Sequence, residues 1–270
     1  MIKNNTTFVL LPAYNEGLNL RQLIENLINY FEIKELKFQI VICDDGSTDN
    51  TNDAAKIYSS KDKRITLLEH KLNRGLGETI RTLFEFAAQN TNANDYIIRM
   101  DGDSTHEPEY ISRIQDKLEL GFDVVVASRF IDNGSQLGVP NYRKSLSLIA
   151  NRILWLMFPI KPRIKEYTSG YRGYSARIIQ KAVLIYGNDF IQLKNFGFSC
   201  TIEKLLKLHL LGAKITEIPF TLRYDKKQNE SKMVTNITTF GYFIILFLYH
   251  WPRTGWKYRY TTSGSIKKFN

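Results

Sequence analysis

The stretch Tyr96-Ile-Ile-Arg-Met-Asp-Gly-Asp-Ser-Thr-His-Glu-Pro-Glu-Tyr110 decides how the rest of this sequence is interpreted. Its apolar beginning, Tyr96 to Met100, predicts a short buried strand, and Asp101 and Asp103 follow directly. Carboxylates at the carboxyl end of a strand in an α/β sheet lie where ligands bind. Two such oxygen donors suit Mg²⁺ or Mn²⁺, which substrate phosphates commonly share. A solvated Asp-Gly turn is the alternative interpretation, because a lone Asp-x-Asp is a weak signal.

Segments with alternating strand and helix patterns lie on both sides of this stretch. Apolar runs predict further strands at 7–11, 39–43, 64–68, 123–128 and 215–218. Apolar residues at helical spacing predict helices at 18–31, 51–59, 76–89, 108–120, 142–157, 176–186 and 198–211. Residues 167–174 are interpreted as a turn rich in aromatic and hydroxyl side chains. The alternation is typical of an α/β fold with a mostly parallel sheet and helices on both faces.

Polar side chains follow three of the predicted strands, and the carboxyl ends of parallel strands meet at one edge of a sheet. These side chains are Asn15 and Glu16, Asp44 and Asp45, and Asp101 and Asp103. We therefore expect a nucleotide site there. The sequence has neither a Gly-x-Gly-x-x-Gly after the first strand nor a Gly-Lys-Ser/Thr phosphate loop. Rossmann dehydrogenases and phosphate-loop enzymes are accordingly disfavoured.

The length of the chain allows one large α/β domain with an appendage or two small domains, and the absence of a clear linker favours the first. The chain has 270 residues, of which 43% are hydrophobic, enough to bury a core. We divide it into a catalytic domain at 1–230 and a hydrophobic helix with a basic tail at 231–270. Cys43 and Cys200 form no disulfide framework and fit a reducing compartment. The polar start of the sequence predicts no cleavable signal.

The basic charge is concentrated in the carboxyl-terminal part. Of the formal net charge of +10, the segment from Arg223 to Asn270 carries +7, with nine basic and two acidic residues. A tail of this kind suits an anionic partner such as lipid headgroups. Residues 233–251 contain no charged side chain, so we expect a helix lying on a membrane. A single span, or packing on the domain or a partner subunit, remains an alternative. Trp251, Trp256, Tyr258 and Tyr260 are the expected headgroup anchors.

Eight short motifs follow one another in order along residues 8–232. They are Leu11-Pro-Ala-Tyr-Asn-Glu16, Val41-Ile-Cys-Asp-Asp-Gly-Ser-Thr-Asp-Asn-Thr51, Asn73-Arg-Gly-Leu-Gly77, Met100-Asp-Gly-Asp-Ser-Thr-His-Glu-Pro-Glu109, Ala127-Ser-Arg-Phe130, Thr168-Ser-Gly-Tyr-Arg172, Gly197-Phe-Ser-Cys-Thr-Ile-Glu-Lys204 and Glu230-Ser-Lys232. The ordered set resembles the family-2 glycosyltransferases of the GT-A fold. More narrowly, it is similar to the dolichol-phosphate or polyprenol-phosphate mannose synthases.

The resemblance implies roles for individual residues. It implies that the nucleotide base and ribose are held by Pro12, Tyr14, Glu16, Ile42 and Asp44. It implies that Asp101, Gly102 and Asp103 form the divalent-metal and diphosphate site, that Arg129 contacts the donor, and that Arg223 and Lys232 close over the diphosphate. Thr105 departs from the pattern, because the family often has a glutamine there and a hydroxyl is a poorer metal ligand.

The nature of the acceptor decides which further groups are needed. A lipid phosphate is already anionic near neutral pH and needs positive charge, for which Arg172, Lys226, Lys227 and Lys232 are candidates. A sugar hydroxyl needs a general base, for which Glu203 is the candidate. The alternative interpretation of Glu203 is a solvated helix carboxylate paired with Lys204 or Lys207.

These observations and the resemblance together predict an inverting, metal-dependent transferase. We expect it to move mannose from GDP-mannose to a polyprenyl phosphate at the cytoplasmic face of a membrane. A UDP-sugar donor with a glycan hydroxyl acceptor is an alternative, and so is a non-catalytic nucleotide-binding or nucleic-acid-binding protein. The set of candidate site residues and the clustering of charge beside an apolar helix argue against nucleic acid as a partner. An oligomer remains open.

Overall fold

Nine strands and nine helices are seen in the computed structural model, which describes residues 5–226, 235–251 and 255–261. The strands are β1 (Thr7–Ala13), β2 (Phe38–Asp44), β3 (Ile65–Glu69), β4 (Tyr96–Arg99), β5 (Val124–Ser128), β6 (Ser135–Leu137), β7 (Arg172–Ser175), β8 (Ile215–Pro219) and β9 (Thr221–Arg223). The helices are α1 (Gly17–Ile33), α2 (Thr51–Lys61), α3 (Leu76–Asn90), α4 (Tyr110–Glu119), α5 (Asn141–Met157), α6 (Ala176–Tyr186), α7 (Ser199–Leu210), α8 (Thr235–His250) and α9 (Trp256–Thr261).

Seven of the strands form one sheet in the order β3-β2-β1-β4-β7-β5-β8, and β6 pairs with β9 beside it. All neighbours in the large sheet are parallel except β7, which is antiparallel to both β4 and β5. The predicted mostly parallel sheet is confirmed. So are the six predicted strands, whose bounds in the structure differ by at most two residues.

Two apolar layers cover the two faces of the sheet. In β1, Phe8 and Leu10 pack in a layer with α3, α6 and α7, while Val9 and Leu11 pack in a layer with α1 and α4. This explains why the strand is a continuous apolar run rather than an alternating one, since a central parallel strand is buried on both faces. The prediction of helices on both faces is therefore confirmed.

The interpretation of residues 167–174 as a turn is partly wrong, because residues 172–175 form the central strand β7. A Cβ atom on Gly173 would lie 2.0 Å from the Ile114 side chain, so the missing side chain lets α4 pack directly on the strand. The four residues Arg-Gly-Tyr-Ser have neither an apolar run nor an alternating pattern. Their strand conformation depends on β4 and β5 on either side.

Helix α8 (Thr235–His250) lies within the segment that was predicted as a hydrophobic carboxyl-terminal helix. Its buried stripe, which includes Thr238, Gly241 and Ile245, packs against α7. A Cβ atom on Gly241 would lie 1.9 Å from the hydroxyl oxygen of Ser199, so the two helices are in close contact. The predicted domain boundary at 230/231 falls outside the described residues. In the described parts of the chain, no helix combines the length and apolar character needed to cross a membrane.

Two of the expected headgroup anchors differ in their exposure. Trp251 is 47% exposed, as an anchor would be. Trp256 is only 3% exposed, and its indole N–H donates to the Gln192 side chain at 2.9 Å. The expectation that Trp256 is an anchor is therefore wrong, because it packs in the protein core. The side chains of Tyr258 and Tyr260 are outside the described part of the structure.

Candidate functional site

A cleft of about 610 Å³ opens where the carboxyl ends of β1, β2 and β4 meet. Its wall includes six residues predicted for the site, namely Pro12, Tyr14, Glu16, Asp101, Gly102 and Asp103. The remaining lining residues come from the end of β1, the loop after β2, the loop before α3 and its first turn, the loop before α7, and α8. Among them are Asp45, Arg74, Lys194, Asn195, Phe198 and Ile237. The predicted convergence of the strand ends is confirmed by this geometry.

Hydrogen bonds between loops hold the β1 side of the cleft. Asn15 has a positive φ of 51°, and its backbone N–H donates to the Ser47 hydroxyl at 2.9 Å. The backbone N–H of Thr48 donates in return to the Asn15 side-chain oxygen at 2.8 Å. Asparagine tolerates the left-handed conformation that this turn needs. The loop after β2 thus fixes the loop that carries Tyr14 and Glu16.

Asp45 holds the opposite wall. Its carboxylate accepts from the backbone N–H groups of Arg74 at 3.0 Å and Gly75 at 2.8 Å, and it contacts His70 Nδ1 at 2.7 Å. Gly75 has a φ of 87°, which favours glycine, and it precedes the first turn of α3. These contacts place Arg74 at the cleft and aim the amino terminus of α3 toward it.

Asp101 lies between two buried partners. Its Oδ1 is 2.6 Å from a guanidinium nitrogen of Arg99, and its backbone N–H donates to His106 Nδ1 at 3.0 Å. Burial lowers the pKa of His106, although Asp101 and Asp103 act in the opposite direction. The imidazole is therefore neutral near pH 7. Its Nε2 atom, which carries the proton, lies 3.6 Å from Asp101 Oδ2. His106 stacks on Tyr171 at a centroid distance of 4.9 Å, which fixes its orientation.

Asp103 is oriented by Thr105, the residue that departs from the family pattern. The Thr105 hydroxyl donates to Asp103 Oδ1 at 2.6 Å, and Thr105 is only 3% exposed. Thr105 thus holds the carboxylate rather than facing the cleft. Gly102 lies between the two aspartates, and a Cβ atom there would be 3.0 Å from the Pro12 carbonyl oxygen. The small residue allows β1 and the aspartate loop to approach each other.

Arg129 forms a nearly buried network beside β5, outside the lining of the cleft. Its guanidinium donates to both carboxylate oxygens of Glu166 at 2.8 Å, to Thr168 at 2.9 Å and to Ser147 at 3.3 Å. Burial raises the pKa of Glu166, but the charge and hydrogen bond of Arg129 and the hydrogen bonds of Thr168 together hold this pKa below its usual value. The network connects the end of β5 to α5, on which Ser147 lies.

Arg223 also lies outside the cleft lining. It pairs with Asp225 at 2.8 Å and with Glu107 at 3.3 Å, and its backbone N–H donates to the Thr105 carbonyl oxygen at 3.2 Å. These contacts place Arg223 against the loop that follows Asp103. Its expected partner over the diphosphate, Lys232, is outside the described residues.

Two expected base-binding residues are positioned differently from the cleft residues. Ile42 is fully buried in the apolar layer on the α1 side, so its side chain does not reach the cleft. Asp44 is 2% exposed, and it accepts from the Asn52 amide at 2.9 Å and from the Ser47 hydroxyl. In this arrangement Asp44 holds the loop after β2.

Arg172 does not serve as the expected acceptor-binding cation in this structure. It is fully buried on β7, where its guanidinium donates to the backbone oxygens of Tyr167 and Thr201 at 2.7 Å each. Both contacts are with the protein's own backbone. Arg172 therefore connects β7 to α7 and to the segment before β7.

Glu203, the candidate base, is also fully buried. Its carboxylate pairs with Lys207 at 2.5 Å and accepts from the backbone N–H groups of Gln192 and Leu193 at 2.8 and 2.9 Å. The predicted pairing with Lys207 is confirmed, but the solvated position is wrong. All these contacts hold the segment before α7, which carries Lys194 and Asn195 at the cleft.

The sequence profile of Glycosyl transferase family 2 matches residues 8–185. The chain belongs to this family. The predicted GT-A fold and glycosyltransferase activity are thereby confirmed, and the non-catalytic alternative is set aside.

Curated relatives of this glycosyltransferase include two enzymes that are named for polyprenyl phosphates. A dolichol-phosphate mannosyltransferase of Pyrococcus furiosus is 28% identical over 225 residues, which are 83% of this chain and 58% of that protein. The chain thus spans little more than half the length of this relative. An undecaprenyl-phosphate mannosyltransferase of Micrococcus luteus is 26% identical over 240 residues, which are 86% of this chain and 92% of that protein.

A solved structure shares the fold of this glycosyltransferase. Glucosyl-3-phosphoglycerate synthase from Mycobacterium tuberculosis, in complex with Mg²⁺ and uridine diphosphate, superposes with a TM-score of 0.60. The match covers 91% of this chain and 79% of that one at 16% sequence identity. At this identity the similarity concerns the fold alone.

Sequence reasoning did not identify several residues of the glycosyltransferase cleft. Lys194 and Asn195 lie just before a predicted helix, in a segment with no recognisable motif. Arg99 was included only in an apolar run, although an arginine in a buried strand two residues before an aspartate indicates a buried ion pair. Asp45 was expected at this edge of the sheet and Arg74 belongs to the motif at 73–77, but the individual contacts of both depend on the folded loops.

Proposed function

We propose that this glycosyltransferase moves mannose from GDP-mannose to a polyprenyl phosphate at the cytoplasmic face of a membrane, with inversion at the anomeric carbon. The main support is the position of Asp101 and Asp103 in the wall of the 610 Å³ cleft at the carboxyl edge of the sheet. This is where a nucleotide is expected in an α/β fold. The relatives known as dolichol-phosphate and undecaprenyl-phosphate mannosyltransferases support the sugar and the acceptor.

The residues at the cleft fit a divalent cation that is shared with the substrate. Within the described ranges, no group of three or more His, Cys, Asp or Glu side chains could hold a metal ion. Mg²⁺ usually takes one or two carboxylates and completes its coordination with water and substrate phosphates. Asp101 and Asp103 would supply those carboxylates to Mg²⁺ or Mn²⁺. When bound, the ion would act as a Lewis acid toward the diphosphate.

The chain's own residues would bind and orient the donor. Pro12, Tyr14 and Glu16 line the part of the cleft where we propose that the nucleoside lies. Arg74 and Lys194 line the same cleft and would stabilise the negative charge that grows on the departing diphosphate. The bond from the anomeric carbon to the diphosphate breaks, and the diphosphate leaves with the electron pair of that bond. An acceptor oxygen forms the new bond to the anomeric carbon from the opposite side.

A phosphate acceptor agrees with the position of Glu203. The oxygen of a phosphate monoester already carries negative charge, so no proton must be removed before attack. A sugar hydroxyl would need a general base within hydrogen-bonding reach. Glu203 was the candidate, but its carboxylate is buried and occupied by Lys207 and two backbone N–H groups. This favours the lipid phosphate over the glycan hydroxyl.

Exposed apolar faces on two helices support contact with a membrane. On α5 these residues are Tyr142, Leu146, Leu148, Ile149, Ile153 and Leu156. On α8 they are Ile237, Phe240, Phe243 and Phe247, and Trp251 follows directly after the helix. Their exposed fractions run from 45% to 68%. The helices meet at their carboxyl ends, where His250 contacts the Met157 carbonyl oxygen at 2.8 Å. We call this combined surface the α5–α8 face.

Charge on and beside α5 fits an anionic membrane. Residues 133–165 contain six basic residues and no acidic one. Basic side chains next to apolar ones favour helices that lie on anionic leaflets. In this proposal α5 adds a second docking element to the predicted carboxyl-terminal helix. A polyprenol acceptor would lie in the same membrane.

A transfer assay tests this function. The full chain, added to vesicles containing polyprenyl phosphate and Mn²⁺, is supplied with labelled GDP-mannose, UDP-glucose or UDP-N-acetylglucosamine. We expect label from GDP-mannose in an organic-extractable, acid-labile lipid. Label from a UDP-sugar in that lipid would contradict the proposal that GDP-mannose is the donor. Label only in an added glycan primer would overturn the acceptor.

The variant Asp103→Asn tests the metal site in the same assay. Loss of one carboxylate from a two-carboxylate site should reduce kcat/KM by about a hundredfold or more. Asp53→Asn, on the exposed side of α2, is the matched control and should transfer mannose normally. Undiminished transfer by Asp103→Asn would contradict the metal role.

A further inference from the structure

Arg99 is a cation buried directly beneath the cleft. It ends β4, is 1% exposed, and one of its guanidinium nitrogens lies 2.6 Å from Asp101 Oδ1. A second guanidinium and a lysine side chain are buried in the same region. Arg172 faces Arg99 across the antiparallel pair of β4 and β7, and Lys204 is 1% exposed with its Nζ 4.2 Å from the ring centroid of Phe84. Positive charge is thus concentrated behind the first aspartate.

The guanidinium of Arg99 is directed at Asp101. Among the described residues, none of its three nitrogens has a hydrogen-bond partner in suitable geometry. The 2.6 Å contact with Asp101 is an ion pair whose angles do not meet those of a hydrogen bond. The group packs on the backbone of Gly170, where a Cβ atom would lie 1.5 Å from one of its nitrogens. Arg172 differs, because it donates to two backbone oxygens. Asp101 is therefore the main electrostatic partner of Arg99.

Stability of the fold does not account for this arginine. A buried ion pair is weak evidence for stability, because an apolar residue of similar volume avoids the loss of hydration. The pair does change the charge that the cleft offers to a cation. Asp101 and Asp103 would present two negative charges, but Arg99 offsets one of them at contact distance. Arg172 adds positive charge behind it.

We propose that Arg99 is a positioning residue that holds Asp101 and weakens cation binding until a nucleoside diphosphate is present. The diphosphate supplies the missing oxygen ligands and negative charge, so the cation and the donor bind together. This inference rests on the proposed metal-dependent function. Because binding energies are reciprocal, the cation strengthens nucleotide binding by the same factor.

The test measures Mn²⁺ affinity by electron paramagnetic resonance on the full chain, alone and with GDP or UDP. The wild-type protein should bind Mn²⁺ weakly alone and at least about tenfold more tightly with the diphosphate. Arg99→Met removes the charge and keeps a long side chain. It should bind Mn²⁺ about tenfold more tightly than wild type without nucleotide, and the gain from the diphosphate should shrink.

Further variants separate charge from packing. Arg99→Lys keeps the charge and should restore weak binding without nucleotide. Arg99→Gln is a second neutral variant in case Arg99→Met does not fold, and it should behave like Arg99→Met. Arg172→Met is the matched buried control, and it should lower the unfolding temperature with a smaller effect on Mn²⁺ affinity.

The outcomes distinguish this inference from the proposed function. If folded Arg99→Met or Arg99→Gln shows wild-type Mn²⁺ affinity in both states, the role of Arg99 is wrong while metal dependence stands. If the wild-type protein binds no Mn²⁺ with either diphosphate, the metal part of the proposed function fails, and the inference fails with it.

Discussion

At the scale of single residues, the ion pair of Glu203 with Lys207 gives a direct test of a structural role against a catalytic one. Both side chains are fully buried and 2.5 Å apart. We expect Glu203→Gln to lower the free energy of unfolding by about 3 kcal/mol, because it leaves a buried ammonium without its counter-charge. The folded variant should retain the wild-type kcat. Urea unfolding and the mannose-transfer assay measure the two effects.

An exposed ion pair provides the control for that variant. Lys56 and Glu69 lie 3.0 Å apart, with side-chain exposures of 55% and 46%. Glu69→Gln should change the free energy of unfolding by less than about 1 kcal/mol, because water screens the pair. A Glu203→Gln protein that is as stable as wild type but inactive would restore Glu203 as the catalytic base.

The contact between Arg129 and Glu166 predicts a pH dependence of stability. Burial raises the pKa of Glu166, and the contacts with Arg129 and Thr168 together hold it below its usual value. The stabilisation is therefore present above the pKa of an unfolded glutamate, about 4.3, and is lost as pH falls through the lower folded value. Glu166→Gln should be less stable than wild type near neutral pH, and the difference should narrow below about pH 4. Urea unfolding across this range measures it, and a gap independent of pH would contradict it.

At the scale of secondary-structure elements, α5 and α8 are the helices for which we predict a shared membrane contact. Leu146 and Ile149 on α5, and Phe243 and Phe247 on α8, are each more than half exposed. The double variants Leu146→Glu/Ile149→Glu and Phe243→Glu/Phe247→Glu should each weaken vesicle binding by about tenfold or more. Each removes apolar area from the contact and adds charge that anionic lipid repels.

Vesicle flotation with and without phosphatidylglycerol measures this effect, and the wild-type protein should bind anionic vesicles more tightly. Leu120→Glu is the matched control, because Leu120 is 72% exposed and follows α4 on the opposite side of the sheet. It should bind vesicles like wild type. If only the α8 variant loses binding, α5 is not part of the contact.

Loops and strands contribute to the cleft in different ways. The ends of β1 and β4 place Pro12 and Asp101 directly, while Arg74 and Lys194 lie on loops held by other side chains. Asp45 fixes the first loop, and Glu203 fixes the second. A substitution at Asp45 would therefore displace Arg74 without touching a substrate.

At the scale of the whole molecule, the cleft and the α5–α8 face are connected through α8. Ile237 lines the cleft, and the exposed side chains of Phe240, Phe243 and Phe247 continue from it along the helix. In the proposed function, a polyprenyl chain could stay in the membrane while its phosphate reaches the donor. The alternative of a glycan primer would not require this continuity.

Much of the architecture could be predicted from the chain because its signals are local. Continuous apolar runs predicted six strands, and helical spacing predicted α1 to α7 with bounds within a few residues. The position of Asp101 and Asp103 after a buried strand predicted a site at the carboxyl edge of a parallel sheet. These properties follow from burial on both faces of the strands and from the periodicity of helices.

Only the tertiary structure decided which groups meet. β7 is a strand because β4 and β5 lie on either side of it, and its own four residues contain no such signal. Arg172 and Glu203 were expected at the acceptor site, yet each is buried with partners distant along the chain or in another loop. The ion pair of Arg99 with Asp101 likewise depends on how β4 is packed. The physical reason is that residue type and spacing reveal burial and charge, whereas the partner of a buried charge is set by segments brought together in the fold.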